Sequence, residues 1–433
     1  MVHAKMTSQT AMTPDTELKE PTQPPLLPKA LTLCLLLLLI HMTLTGGRIS
    51  VMLSGLNLGM STLSIGLLIS VFALLPMLVS VRFGRLIDSI GPFKPMRAAA
   101  IATAIGVALP FIWQGWFSLI VAAICIGLGH MTFQLAVQEQ IGLAQGETRL
   151  KHFSWLSLSL SVSGFSGPLI AGIAIDQLGY RFAFAILAIA PLIAIYGVLK
   201  LKTDLINSHT PTPKPKIKPR MSDLLSIKPL RHAFTANLLL AGAWDTHMFL
   251  VPIYGVQRDL SATTIGIILS SFALATLLVR LALPLIRRHA SPWQLIHFAM
   301  IAAAINFLLY PWFTSAWVLM SFSFVLGLSL GCTQPGILSL LQQYAPPGRS
   351  GEAFGVRMAL INGSQVSLPI AFGAMGAAVG LIPLFAATAV AVSSGVWFTR
   401  HAERYHPSPA DEPQNKQPPH DPTLPHTDSN SKR

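Results

Sequence analysis

The chain has 433 residues, 52% of them hydrophobic and only 11% charged, whereas a soluble globular protein carries roughly a quarter charged residues. That balance excludes a soluble enzyme, a disulfide scaffold or a disordered chain as a reading of the whole, because apolar runs of about 20 residues recur from Leu31 to Phe398. The formal charge of +13 has to be tested for sidedness before it is taken as a sign of a nucleic-acid partner.

Taken in chain order, six spans precede a polar centre: Leu31 to Leu53, Thr62 to Val81, Pro92 to Trp113, Trp116 to Gln138, Phe153 to Ile175, and Phe182 to Leu199. Residues 200–231 are rich in Lys, Pro and Thr and read as a solvated linker. Six more spans follow, at Phe234 to Tyr254, Ile265 to Leu285, Trp293 to Phe313, Trp317 to Leu341, Phe354 to Met375, and Val379 to Phe398. The expected fold is an all-α membrane protein with twelve transmembrane helices in two six-helix halves, residues 31–199 and 232–400. Residues 1–30 and 401–433 read as disordered cytoplasmic tails.

An even number of spans leaves both termini on one side, and positive residues near the spans choose that side. Of the 30 Lys and Arg, 27 fall in the tails, the linker and the regions where spans meet on the terminal side, leaving Arg48, Arg181 and Arg258 outside that set. The termini and linker are therefore expected in the cytoplasm of a bacterial-type inner membrane. The basic charge then fixes topology and meets anionic lipid, and no nucleic acid is implied. The apolar run after Lys29 lacks a small-residue cleavage site, so the first span reads as retained. Cys34, Cys125 and Cys332 all lie in apolar runs and read as packing residues. His401, His406, His420 and His426 are too irregularly spaced to read as a metal site, so no metal and no cofactor is expected.

Shifting the chain by 200 residues aligns the second span with the eighth. Ser61 to Val79 matches Ser261 to Val279 at 9 of 19 positions, including Gly66/Gly266, Ser70/Ser270 and Phe72/Phe272. Gly127 and Gln134 echo in Gly327 and Gln334, and Pro168 and Gly172 echo one residue out of register in Pro369 and Gly373. Shared glycines and polar residues in one register point to duplication.

These features resemble the major facilitator superfamily. Between the second and third spans, Gly84-Arg85-Leu86-Ile87-Asp88-Ser89-Ile90-Gly91, followed by Lys94 and Arg97, resembles the family's motif A. Gly84 and Gly91 allow close approach and a tight reversal, while Asp88 can pair with an Arg or a helix N-terminus and latch one conformation. The matching stretch of the second half has Arg288 where Asp88 would align. In the fifth span, the run Gly164 to Gly172, with Gly167 and Pro168 at its centre, resembles motif C. In this superfamily that motif accompanies exporters that exchange substrate for protons. The fourth span has no Arg where motif B would place one, and the first span has no acidic residue, so coupling must use other residues.

Of the 17 Asp and Glu, Asp245 is the one that falls near mid-membrane, about 12 residues into the seventh span. Hydrocarbon disfavours an ionised carboxylate, so alternating exposure to two compartments can load and release a proton there. His247 is a second proton-coupling candidate, but it lies about 200° around the helix from Asp245, so one of the two is expected to pack instead. His41, His130, Gln134, Trp244, Gln334, Asn362 and Gln365 are candidates to line the substrate cavity. Resemblance to the family implies that the first, fourth, seventh and tenth spans line it. Arg48 reads as lying nearer the outer surface, where snorkelling accounts for it.

No Walker, zincin or nucleophile-elbow motif occurs in a polar domain able to house it, so an enzyme is not expected. The leading expectation is a monomeric, proton-coupled efflux transporter, an antiporter for a small organic molecule working by alternating access. One alternative is an importer or facilitator of a small organic anion met by His41, Arg48 and His130. Another is a transporter-fold sensor or interaction scaffold.

Overall fold

A computed structural model describes residues 27–144, 146–201, 221–286, 290–346 and 349–400. The expectations placed on the two tails, on Arg288, and on His401, His406, His420 and His426 lie outside these residues. Among the described residues there is no strand. The helices are α1 (Leu27–Asn57), α2 (Thr62–Ile90), α3 (Phe93–Ile112), α4 (Trp116–Gly142), α5 (Gly146–Leu178) and α6 (Tyr180–Lys200), then a single turn and a half α7 (Met221–Ser226). The second half comprises α8 (Lys228–Gln257), α9 (Ala262–Ile286), α10 (Pro292–Leu309), α11 (Ala316–Gly331), α12 (Thr333–Tyr344), α13 (Ser350–Val379) and α14 (Ile382–Thr399). α7 and the first turn of α8 fall in the stretch read from sequence as linker.

Local signals set several boundaries. The Ser61 hydroxyl accepts the Ser64 amide at 3.2 Å to cap α2, and Gly91 ends it at φ +78°, a left-handed conformation that a side chain resists. Ser291 and Gln294 form a reciprocal capping box at the start of α10. The tenth span, expected as one helix, is broken at Cys332 between α11 and α12. Pro335 has no N–H to give the Gly331 carbonyl four residues back, so the helix interrupts there.

Eleven of the helices, counting α11 with α12 as one span, are long and apolar enough to cross a membrane. The twelfth expected span, α8, falls outside that set because Asn237, Asp245, Thr246 and His247 interrupt its apolar run. The protein is thus an integral, multi-pass membrane protein.

The two halves meet along a pair of matching seams, α5 against α9 and α2 against α13. A Cβ added at Gly66 would strike the Pro369 carbonyl, and one added at Gly266 would strike the Pro168 carbonyl. The Ser70 hydroxyl donates to the Val366 carbonyl at 2.9 Å, and the Ser270 hydroxyl donates to the Phe165 carbonyl at 2.7 Å. Residues paired by the repeat thus make the same contacts twice, once at each seam. Small residues let the backbones approach, which is how apolar helices associate where lipid competes equally for greasy surface.

Both seams close on the side away from the chain's termini. There the Asp176 carboxylate at the end of α5 accepts the Ala262 and Thr263 amides of α9 at 3.1 and 2.7 Å, supplying α9 with an N-cap from the other half. Further along the same seam, toward the terminal side, Arg280 of α9 donates to the Ser161 hydroxyl of α5 at 3.2 Å.

Candidate functional site

A cavity of about 110 Å³ lies within the second half, lined by α8, α11, α12 and α13. Its wall carries Asn237, Trp244 and Asp245 of α8, Gln334 of α12, and Arg357 and Gln365 of α13. The break at Cys332 matters here, because Leu330 and Thr333, on either side of it, both face the cavity. Interrupted helices expose backbone and polar side chains where a cavity satisfies them.

Asp245 is only 4% exposed, and it accepts a hydrogen bond from the Ser364 hydroxyl of α13 at 3.0 Å. Arg48 of α1, from the other half, lies close enough for its charge to interact with that of Asp245. No direct ion pair joins them, since among the described residues Arg349–Glu352 is the one pair within 4.0 Å. The expectation that Arg48 snorkels to the outer surface is therefore corrected: it is half-buried inside the bundle, and it interacts electrostatically with the buried carboxylate there.

His247 takes the packing role. It is fully buried, stacked on Phe272 at 4.7 Å and edge-on to Tyr310 at 6.3 Å, inside an aromatic cluster that includes Tyr254 and Phe385. Neither ring nitrogen has a hydrogen-bond partner. The rotation between positions 245 and 247 accounts for this, since one face of α8 meets the cavity and the other meets α9 and α10.

His41 and His130 form a second polar cluster, in the first half. Their rings lie 5.0 Å apart, and the His41 Nδ1 is hydrogen-bonded with the Ser163 hydroxyl at 2.5 Å. Gln134 is half-buried on α4 and Asn362 half-buried on α13, and neither is among the residues that line the cavity. The structure thus gathers Trp244, Asp245, Gln334 and Gln365 at one place and the two histidines at another.

Of the motif residues, Gly84 is open to its surroundings, Gly91 terminates α2, and Arg97 is half-buried in the first turns of α3. Asp88 lies on α2, and its side chain is not among those described. Gly167 packs on α1 beside Gly46, whereas Pro168 sits at the seam with α9.

Two arginines escaped the sequence reading. Arg280 and Arg357 count among the terminal-side topology charges, yet both lie inside helices. The Arg357 Nε donates to Asn237 Oδ1 at 2.9 Å, and Arg280 donates to Ser161 Oγ at 3.2 Å and Gln334 Oε1 at 3.0 Å. Their distance into α13 and α9, seven and eighteen residues beyond Ser350 and Ala262, was the signal that could have marked them.

The sequence pattern of the Major Facilitator Superfamily matches residues 31–369. The chain belongs to that superfamily. Among curated proteins, this superfamily member is similar to the tetracycline resistance protein, class G, of Vibrio anguillarum, at 25% identity over 349 residues, covering 77% of this chain and 83% of that one. Among solved structures it resembles a POT family transporter in complex with a thioalcohol-conjugated peptide, with a TM-score of 0.74 at 14% identity over 87% of this chain and 96% of the other. It also resembles a bacterial homologue of the human lysosomal transporter Spinster in an inward-facing, unoccupied conformation, with a TM-score of 0.68 at 12% identity over 89% and 100%. Those two likenesses show the fold. Membership identifies the protein as a transporter of the secondary type, and not an enzyme.

Proposed function

We propose that this protein exports a small organic molecule from the cytoplasm in exchange for protons, with Asp245 as the proton-carrying group. One observation carries the reading: a buried carboxylate of α8 lines the cavity and interacts with Arg48 of the opposite half. The charge bias of the loops supports placing the terminal side in the cytoplasm of a bacterial inner membrane, and the cavity residues of α13 lie in the half of that helix nearer this side.

In this reading, ionised Asp245 attracts Arg48 and biases α8 toward α1 across the boundary. Protonation removes that attraction while the Ser364 hydroxyl keeps the carboxyl in place. The two seams supply the rocking surfaces, and the Asp176 contact to α9 holds the far side shut until the halves rotate. Export is supported by the motif C-like run around Pro168 and by a relative named for tetracycline resistance.

The test is accumulation of a pooled panel of drugs and metabolites in proteoliposomes under an imposed proton gradient. Gradient-dependent accumulation that ends when the gradient is collapsed is the expected result. Saturable flux of a panel compound that is indifferent to the gradient would overturn proton coupling.

A further inference from the structure

The cavity wall holds a guanidinium and a buried amide donor that has no partner. Arg357, 9% exposed, spends its Nε on the neutral Asn237 amide oxygen and reaches the weakly accepting Met358 sulfur at 3.8 Å. Because Arg357 fixes the Asn237 oxygen, the other end of that amide, Nδ2, is turned elsewhere. It is buried with no hydrogen-bond partner. An orphaned buried donor is costly and marks a place where an acceptor belongs.

Arg280 adds a second guanidinium beside the same wall, held through Gln334, itself a lining residue, and Ser161. Among the described residues Arg280 is held by two neutral oxygens and Arg357 by the Asn237 oxygen and the Met358 sulfur, and no carboxylate lies within 4.0 Å of either. Guanidinium charge is permanent, so in a poorly solvated bundle it favours an anionic ligand. Asp245 lines the same cavity, held by the Ser364 hydroxyl of α13, and its charge also interacts with that of Arg48 in the other half. Trp244 supplies an aromatic wall packed edge-on against Phe272 at 4.6 Å.

We propose that Arg357 and Asn237, seconded by Arg280, form the recognition site for the carboxylate of a small aromatic organic anion whose ring rests on Trp244. A planar guanidinium fork matches a carboxylate with paired hydrogen bonds, and the Asn237 amide completes its coordination. This names the substrate class and rests on the transporter reading above.

The test is equilibrium binding to the purified full-length protein in detergent, read as saturable rise in Tm, with benzoate, benzamide and benzylamine as probes. Benzoate is expected to bind, and its neutral and cationic counterparts are not. Arg357→Gln should weaken benzoate about tenfold or more, and Arg357→Lys should restore part of the loss. If Arg357→Gln does not yield folded protein, Arg280→Gln decides, with a weaker benzoate response expected. Equal binding of benzamide, preference for benzylamine, unchanged affinity in the Gln variants, or no response to any probe would overturn the site. Binding without gradient-driven flux would sink the proton-coupling reading and leave the site standing. Driven accumulation of a neutral compound by a protein that ignores benzoate would do the reverse.

Discussion

Arg48 of α1 and Asp245 of α8 interact electrostatically across the boundary between the two halves, without a direct ion pair. The interaction therefore tolerates movement of one half against the other, which a tight bidentate pair would resist. It also makes the charge of a single carboxyl felt by both halves, the property a coupling residue needs.

Arg48→Gln should cut gradient-driven transport by about tenfold or more, whereas Arg48→Lys, which keeps the charge, should retain most of it. If the two sites act as a unit, adding Arg48→Gln to Asp245→Asn should leave counterflow little changed from that of Asp245→Asn alone. Initial rates in proteoliposomes for the four proteins check this, and simple multiplication of the two losses would show the sites to be independent.

The Asp176 contact to the Ala262 and Thr263 amides crosses between halves on the far side and exists while that side is shut. Asp176→Asn removes the negative charge at the α9 N-terminus and should shift the conformational balance by about 1 kcal/mol toward opening there, a modest value because Asp176 is solvent-exposed. Distances between spin labels placed across the far side should show a larger open fraction in the variant. An unchanged distribution would mean that the seams alone hold that side closed.

Gly266 meets the Pro168 carbonyl so closely that a valine there cannot be accommodated without parting α5 from α9. Gly266→Val should destabilise the closed far side by about 1 to 3 kcal/mol, and transport should fall accordingly. The repeat predicts a comparable effect for Gly66→Val at the α2–α13 seam. Thiol labelling of a cysteine introduced at Thr263 should speed up in the Gly266 variant.

His247 fills an aromatic pocket and offers its nitrogens to nothing. His247→Phe roughly conserves its volume, so it should cost less than about 1.5 kcal/mol of stability, or gain a little, and leave coupled transport in place. Loss of gradient dependence in a folded His247→Phe protein would return the proton-carrying role to this residue.

The fold was readable in the sequence because a span is a long-range apolar average, robust to single residues. The duplication paired Gly66 with Gly266 and Pro168 with Pro369, and the structure adds that these residues meet across the two seams. The site was legible only in part. Asp245 announced itself as an acid at mid-span, but Arg357 and Arg280 were masked because a cation near a span's terminal-side end has two readings, topology or function. Both lay inside the expected spans, at Ile265 to Leu285 and Phe354 to Met375, and were counted for topology all the same. Arg48 was misplaced for a related reason: its depth along α1 was visible, but its neighbour in the other half depended on how the halves dock. The choice between Asp245 and His247 required the direction each faces, which two-residue spacing alone leaves open. The break at Cys332 was foreshadowed by Pro335, a signal outweighed by an otherwise continuous apolar run.

The most direct test of the account compares two readouts in one preparation of Asp245→Asn proteoliposomes, using a compound that the parent protein accumulates. Counterflow, in which labelled substrate exchanges for unlabelled without a gradient, should persist because a neutral amide mimics the protonated carboxyl and still permits the halves to alternate. Accumulation driven by a proton gradient should vanish. Retention of full gradient-driven accumulation by this variant would contradict the claim that Asp245 carries the coupled proton.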